Sequence, residues 1–139
     1  MGVIQNPAGA QGTPQAGNFD QRITNMVSAG VIAKNTVVSF SIASGKLTAT
    51  AATTVVDTDL CRGITLDAAT AAGQIIRVVT HGYVKDVAAQ GAIAAGDTVG
   101  RSGTTAGSVA AVVTPSSGAA LGIALTAAAG NLVDVWVMA

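Results

Sequence analysis

Glutamate is missing from this chain, and all seven acids are Asp: Asp20, Asp57, Asp59, Asp67, Asp86, Asp97 and Asp134. Asp settles at caps and turns whereas Glu suits helix interiors, so a Glu-free chain argues against extensive helix. Aromatic side chains are nearly as scarce: two Phe, one Tyr and one Trp make 3% of a chain that is half hydrophobic. Its apolar content is therefore mostly Ala and Val, which bury little area each and make a thin core that association would reinforce. A single cysteine, Cys61, excludes an intramolecular disulfide, suits a reducing compartment and is expected to be a small buried apolar residue. No apolar run approaches the ~20 residues that span a bilayer, so no membrane partner is expected. The positive mean hydropathy of +0.55 comes from Ala and Val spread along the chain. Seven basic and seven acidic residues stand singly and cancel, which leaves no basic stripe for nucleic acid.

Catalytic and ligand-binding material is equally thin. One His, one Cys and scattered Asp do not assemble a metal site; Asp57 and Asp59 lie two apart but without an EF-hand pattern or its closing Glu. No nucleophile elbow, phosphate-cradling loop or dinucleotide fingerprint occurs, and His81 stands alone in a strand-like stretch. The expectation is a chain that is not an enzyme and takes no metal or cofactor. The opening Met1-Gly2-Val3-Ile4-Gln5-Asn6-Pro7 has no basic or apolar leader region, and Asn6 stands where myristoylation wants Ser or Thr, so neither processing is expected.

What the chain does have is Val, Thr and 17 Gly in short alternating segments, the composition of an all-β barrel or sandwich. Residues 1–22 hold Pro7 and Pro14 among Gly, Gln and Asn without periodicity, and read as an extended N-terminal arm ahead of a β-rich domain over 23–139. Phe19, Arg22 and Ile23 at its end are the candidate contacts with a neighbour. From Gly30 the chain says nearly the same thing twice. Gly30-Val31-Ile32-Ala33-Lys34-Asn35-Thr36-Val37 matches Gly91-Ala92-Ile93-Ala94-Ala95-Gly96-Asp97-Thr98-Val99, with one inserted residue. Gly63-Ile64-Thr65-Leu66 matches Gly122-Ile123-Ala124-Leu125, and Gln74 to Val79 matches Asn131 to Trp136. Two pseudo-symmetric halves, about 30–84 and 91–137, are too few copies for a solenoid, so they should interlock into one unit. The Ser44-Gly45-Lys46 and Gly96-Asp97 steps suit tight turns, the first closing a hairpin.

Alternation along the closing strands sets Ile76 and Val78 with Val133, Val135 and Val137 on one face. It sets Ile75, Arg77 and Val79 with Leu132, Asp134, Trp136 and Met138 on the other. A face that mixes isolated charges with large apolar groups suits a subunit contact, which makes Arg77, Val79, Asp134 and Trp136 the candidate interface.

The stretch from Ile75 to Val99 resembles the capsid decoration, or cement, proteins of tailed bacteriophages. The likeness lies in the Val-rich strand, the Gly82-Tyr83-Val84 step and Ile93-Ala94-Ala95-Gly96-Asp97-Thr98-Val99. It continues through Leu121-Gly122-Ile123-Ala124-Leu125-Thr126-Ala127-Ala128 and the final Val-x-Val strand, over most of residues 30–137. That resemblance implies a virion structural protein made in the host cytoplasm. Its partners would be the major capsid protein, whose outer surface it would clamp, and itself, commonly as a homotrimer. The other reading is a carbohydrate or receptor-binding β-module of a virion fibre or bacterial surface, for which four aromatics supply little platform.

Overall fold

The structure is a computed structural model that describes residues 21–51, 61–102, 104–112 and 120–138. Among them the chain is all-β, as its composition predicts, with strands β1 (Arg22–Ser28), β2 (Val37–Ala43), β3 (Lys46–Ala51), β4 (Cys61–Thr65), β5 (Ile75–Ala88), β6 (Thr98–Arg101), β7 (Val109–Ala111), β8 (Ala120–Ala124) and β9 (Leu132–Val137). Neighbours run β1-β3-β2-β4-β5-β9-β8-β6-β7, and β1 also pairs with β5. That last pairing closes β1, β3, β2, β4 and the first half of β5 into a five-stranded barrel, which leaves no free edge among them. The second half of β5 runs on into β9, β8, β6 and β7, and a parallel bridge between Ala89 and Val109 closes this second ring.

The two rings share many backbone bonds at equivalent positions. In the first, β1 pairs parallel with β3 at Ser28 and Ala49; in the second, Ala89 meets Val109 in the same sense. The Ala29 N–H donates to Ala49 O at 2.9 Å, and the Gln90 N–H to Val109 O at 2.8 Å. The Ala69 N–H donates to Ile32 O as the Ala128 N–H does to Ile93 O, and Leu66 N–H finds Arg77 O as Leu125 N–H finds Asp134 O. Both β2–β4 and β6–β8 carry a register shift at the same place, after Val38 and after Val99, so the counterpart of Val99 is Val38 and not Val37, and the inserted residue of the sequence match is absent from the structure. The repeat unit is thus longer than the sequence match: β1 does in the first barrel what the second half of β5 does in the second, with a bulge between Val84 and Val87. Gly63 and Gly122 hold equivalent positions for one reason. A Cβ on Gly63 would lie 2.5 Å from Val79 O, and one on Gly122 2.0 Å from Trp136 O, so only glycine lets these strands approach.

Ser44 and Gly45 form the hairpin turn between β2 and β3 with φ of 50° and 73°, both left-handed as a two-residue hairpin requires. Inside the first barrel lie Met26, Ile32, Val38, Ala49, Ala69, Ile76 and Val78. The second cluster gathers Val87, Val99, Val109, Val133 and Val135 of the second barrel with Val37, Ile64 and Val79 of the first. Those three project from the outer face of the first barrel and are roofed by the second. Backbone bonds reinforce the junction: the Val37 N–H donates to Gly107 O at 2.8 Å and the Ala88 N–H to Asn35 O at 3.2 Å.

Arg22, the last residue of the expected arm, is already the first residue of β1. Gln21 before it is also described, whereas residues 1–20, including Phe19, lie outside the described residues, as do Asp57 and Asp59. Cys61 opens β4, and its expected burial falls outside what is described of its side chain.

Candidate functional site

The candidate interface residues sit on the outward pleat of β5 and β9, and each has a different fate. Val79 requires a correction: its side chain is 0% exposed and belongs to the cluster that joins the two barrels, so it is core and not subunit surface. Alternation put it on the Arg77 face correctly, but at Val79 that face is already covered by the chain's own second half. Arg77 is exposed and forms a bidentate pair with Asp67: Nε to Oδ2 at 2.9 Å and Nη2 to Oδ1 at 2.8 Å. The Arg77 N–H also donates to Asp67 Oδ2 at 3.0 Å. The side-chain hydrogen bond from Arg77 is the largest of the influences that hold the Asp67 carboxyl down at about 2.

Asp134 is engaged along the outer face of its own barrel. Its Oδ2 accepts the Tyr83 hydroxyl at 2.8 Å and its Oδ1 the Asp86 N–H at 3.0 Å. Asp86 occupies the bulge of β5 with φ of 56°, a left-handed conformation uncommon outside glycine. The carboxylate therefore clamps the bulge. Burial, followed by the bond to Asp134, pushes the Tyr83 hydroxyl up to about 12. Thr126 Oγ1 accepts the Asp134 N–H at 3.1 Å, as Asp67 accepts that of Arg77, so the repeat keeps this contact while changing the residues.

Trp136 is half-buried, and its ring meets His81 edge-to-face at 5.8 Å and 82°. Both lie beside the midpoint of β5, where Arg22 pairs with His81 and Gly82 with Val137. Ile23, paired with Val79, is 44% exposed on the same outer surface, and Arg22 is exposed next to it. The structure thus brings Arg22, Ile23 and Trp136 to one region at the barrel junction, and leaves Arg77 beside Asp67 at the far side of the buried Val79. A cleft of about 300 Å³ opens at this junction between Lys34, Asn35, Leu66, Tyr83, Lys85 and Asp86. Among the described residues no group of three metal-ligating side chains converges.

Sequence reasoning gave Leu132 and Met138 to the Trp136 face but missed Leu125, which follows β8 and donates its N–H to Asp134 O at 2.8 Å. The match of Leu66-Asp67 with Leu125-Thr126 gave no such signal, since Leu66 packs on the core whereas Leu125 is 43% exposed.

The sequence matches no family model and no curated protein. Among solved structures the chain is similar to the N base of head fiber gp8.5 in bacteriophage phi29. That likeness has a TM-score of 0.64 and 15% identity, and covers 85% of this chain and 94% of the other. It establishes a shared fold.

Proposed function

We propose that this chain is a structural component of a phage virion that binds the outer surface of the capsid and bridges neighbouring capsid subunits. The observation that carries this reading is the double barrel itself, whose fold is that of a head-fiber base over nearly its whole length. The chemistry of the surface agrees. The Arg77–Asp67 pair and the Asp134 clamp engage these charged groups within the chain, so contact rests on shape and apolar area spread over many copies. Arg22 and Ile23, exposed at the start of β1, and Phe19 before them are the proposed capsid contacts.

The test mixes the purified chain with undecorated heads from its source phage and measures cosedimentation and the heat resistance of the particle. Saturable binding with a gain in heat resistance is expected. Removal of residues 1–18, or Phe19→Ala, should weaken binding while the strand-dominated circular dichroism persists. A chain that leaves heads bare but binds glycans on its own is a receptor-binding module, and the capsid reading fails.

A further inference from the structure

We propose that the cleft at the barrel junction is a binding site for an extended acidic segment of a partner protein. Bonds between its two sides hold the cleft in shape: the Ala88 N–H donates to Asn35 O at 3.2 Å, and the Gln21 side-chain amide donates to Tyr83 O. Its volume of about 300 Å³ reaches the range of ligand clefts. Leu66 and the buried Val84 give it an apolar lining. Lys34, from the approach to β2, and Lys85, from the second half of β5, stand beside them.

The duplication supplies an internal control for these residues. Asn35 and Gly96 are counterparts: the Asn35 N–H donates to Thr65 O at 2.9 Å and the Gly96 N–H to Ala124 O at 2.8 Å. Both are left-handed, with φ of 59° and 92°. Glycine meets that conformation at no steric cost, and the second half has it, whereas the first half keeps Asn, a side chain able to tolerate it. Lys34 likewise stands where the second half has Ala95. On the other barrel, Asp86 is again a left-handed residue other than glycine, in a bulge that β1 lacks at the corresponding point. Departures from the repeat thus gather at this cleft, and two of them keep a side chain where the backbone favours none.

Charge selects the occupant. Among the described residues neither Lys34 nor Lys85 belongs to an ion pair, and the Asn35 side-chain amide makes no hydrogen bond. Asp86 is the one acid lining the cleft, so the two ammonium groups leave a positive excess. A carboxylate of the segment satisfies them, and the Asn35 amide can donate to and accept from the peptide group beside it. An adjoining apolar side chain then covers Leu66 and Val84. Two cations beside an apolar lining are too few for a nucleic-acid backbone. This site does not depend on the capsid reading, since a free peptide is enough to test it.

Heteronuclear NMR of the full, isotope-labelled chain tests the proposal, with the peptide acetyl-Leu-Asp-Leu-Asp-Leu-amide and its Asn-for-Asp analogue as probes. Saturable shifts centred on Lys34, Asn35, Leu66 and Tyr83 to Asp86 are expected for the acidic peptide. Lys34→Gln and Lys85→Gln should each weaken its binding about threefold, as loss of an exposed ion pair does, and the neutral analogue should bind about tenfold more weakly. Lys46→Gln, an exposed lysine outside the cleft, should change nothing. Asn35→Gly should weaken binding without lowering the thermal melt, because Gly96 shows that the fold accepts glycine there; a purely structural Asn35 would not separate the two. Equal binding of the neutral analogue, losses matched by Lys46→Gln, shifts centred elsewhere, an oligothymidine that outcompetes the peptide in this cleft, or unchanged binding by Asn35→Gly overturns the proposal. Failure to bind heads, with these results intact, overturns only the capsid reading.

Discussion

Val79 and Tyr83 sit four residues apart on β5, and their surroundings decide opposite behaviours. Val79 is enclosed on both sides, so truncation to Ala removes two buried methyl groups and should cost about 2 kcal/mol. Val79→Asp should abolish folding, since its charge would have no partner in the cluster of Val37 and Ile64. Chemical denaturation followed by tryptophan fluorescence measures both; near-neutral effects would return Val79 to the surface. Tyr83, the single tyrosine, is held neutral by burial and by Asp134, so its hydroxyl titrates near 12 in place of 10. The neutral form favours the fold. This contribution is therefore complete below the unfolded value near 10 and is lost as pH rises through 12. Tyrosinate absorbance should show the late titration, and Tyr83→Phe should remove this part of the alkaline loss while costing about 1 kcal/mol at neutral pH.

At the level of strands, the glycines at equivalent points of β4 and β8 set how closely these strands lie against their neighbours. Gly122→Ala would drive a methyl into Trp136 O and its carbonyl carbon, at 2.0 Å and 2.9 Å, both backbone atoms. It should destabilise by about 3 kcal/mol or more. At Gly63 one of the two nearest atoms is the Val78 Cγ1 side-chain atom, so Gly63→Ala should cost less. Thermal melts of the two variants compare them directly. The β2–β3 hairpin and the closing strands were legible because alternation and turn chemistry are local. So was the course of β5 through Thr80-His81-Gly82, where alternation makes His81 a strand residue despite the neighbouring glycine. The equivalence of β1 with the second half of β5 was not legible. Arg22–Ser28 and its counterpart share little but spacing, and the bulge at Asp86 shifts that spacing by one. The interface residues were legible as a face, but not in what covers it: period two tells which residues share a side and is silent on what lies there.

For the molecule as a whole, β5 belongs to both barrels, and the core of the second ring is completed by Val37, Ile64 and Val79 on the outer face of the first. Heat should unfold the chain in one transition with equal calorimetric and van't Hoff enthalpies. A fragment ending at Thr80 exposes Val37, Ile64 and Val79 and should aggregate; a soluble, folded fragment would show that the barrels are independent. One further property follows from where the strands begin and end. Arg22 lies against His81, and Val137 against Gly82, the next residue along β5. With strands ~4.8 Å apart, the start of β1 and the end of β9 are within about 10 Å of each other. A short linker from Met138 to Gln21 could therefore join them, with new ends opened at Ser44-Gly45, where the turn is exposed and held by its own two residues. Such a circular permutant should keep the double barrel, because the order in which the strands are threaded is a smaller constraint than the ring they close.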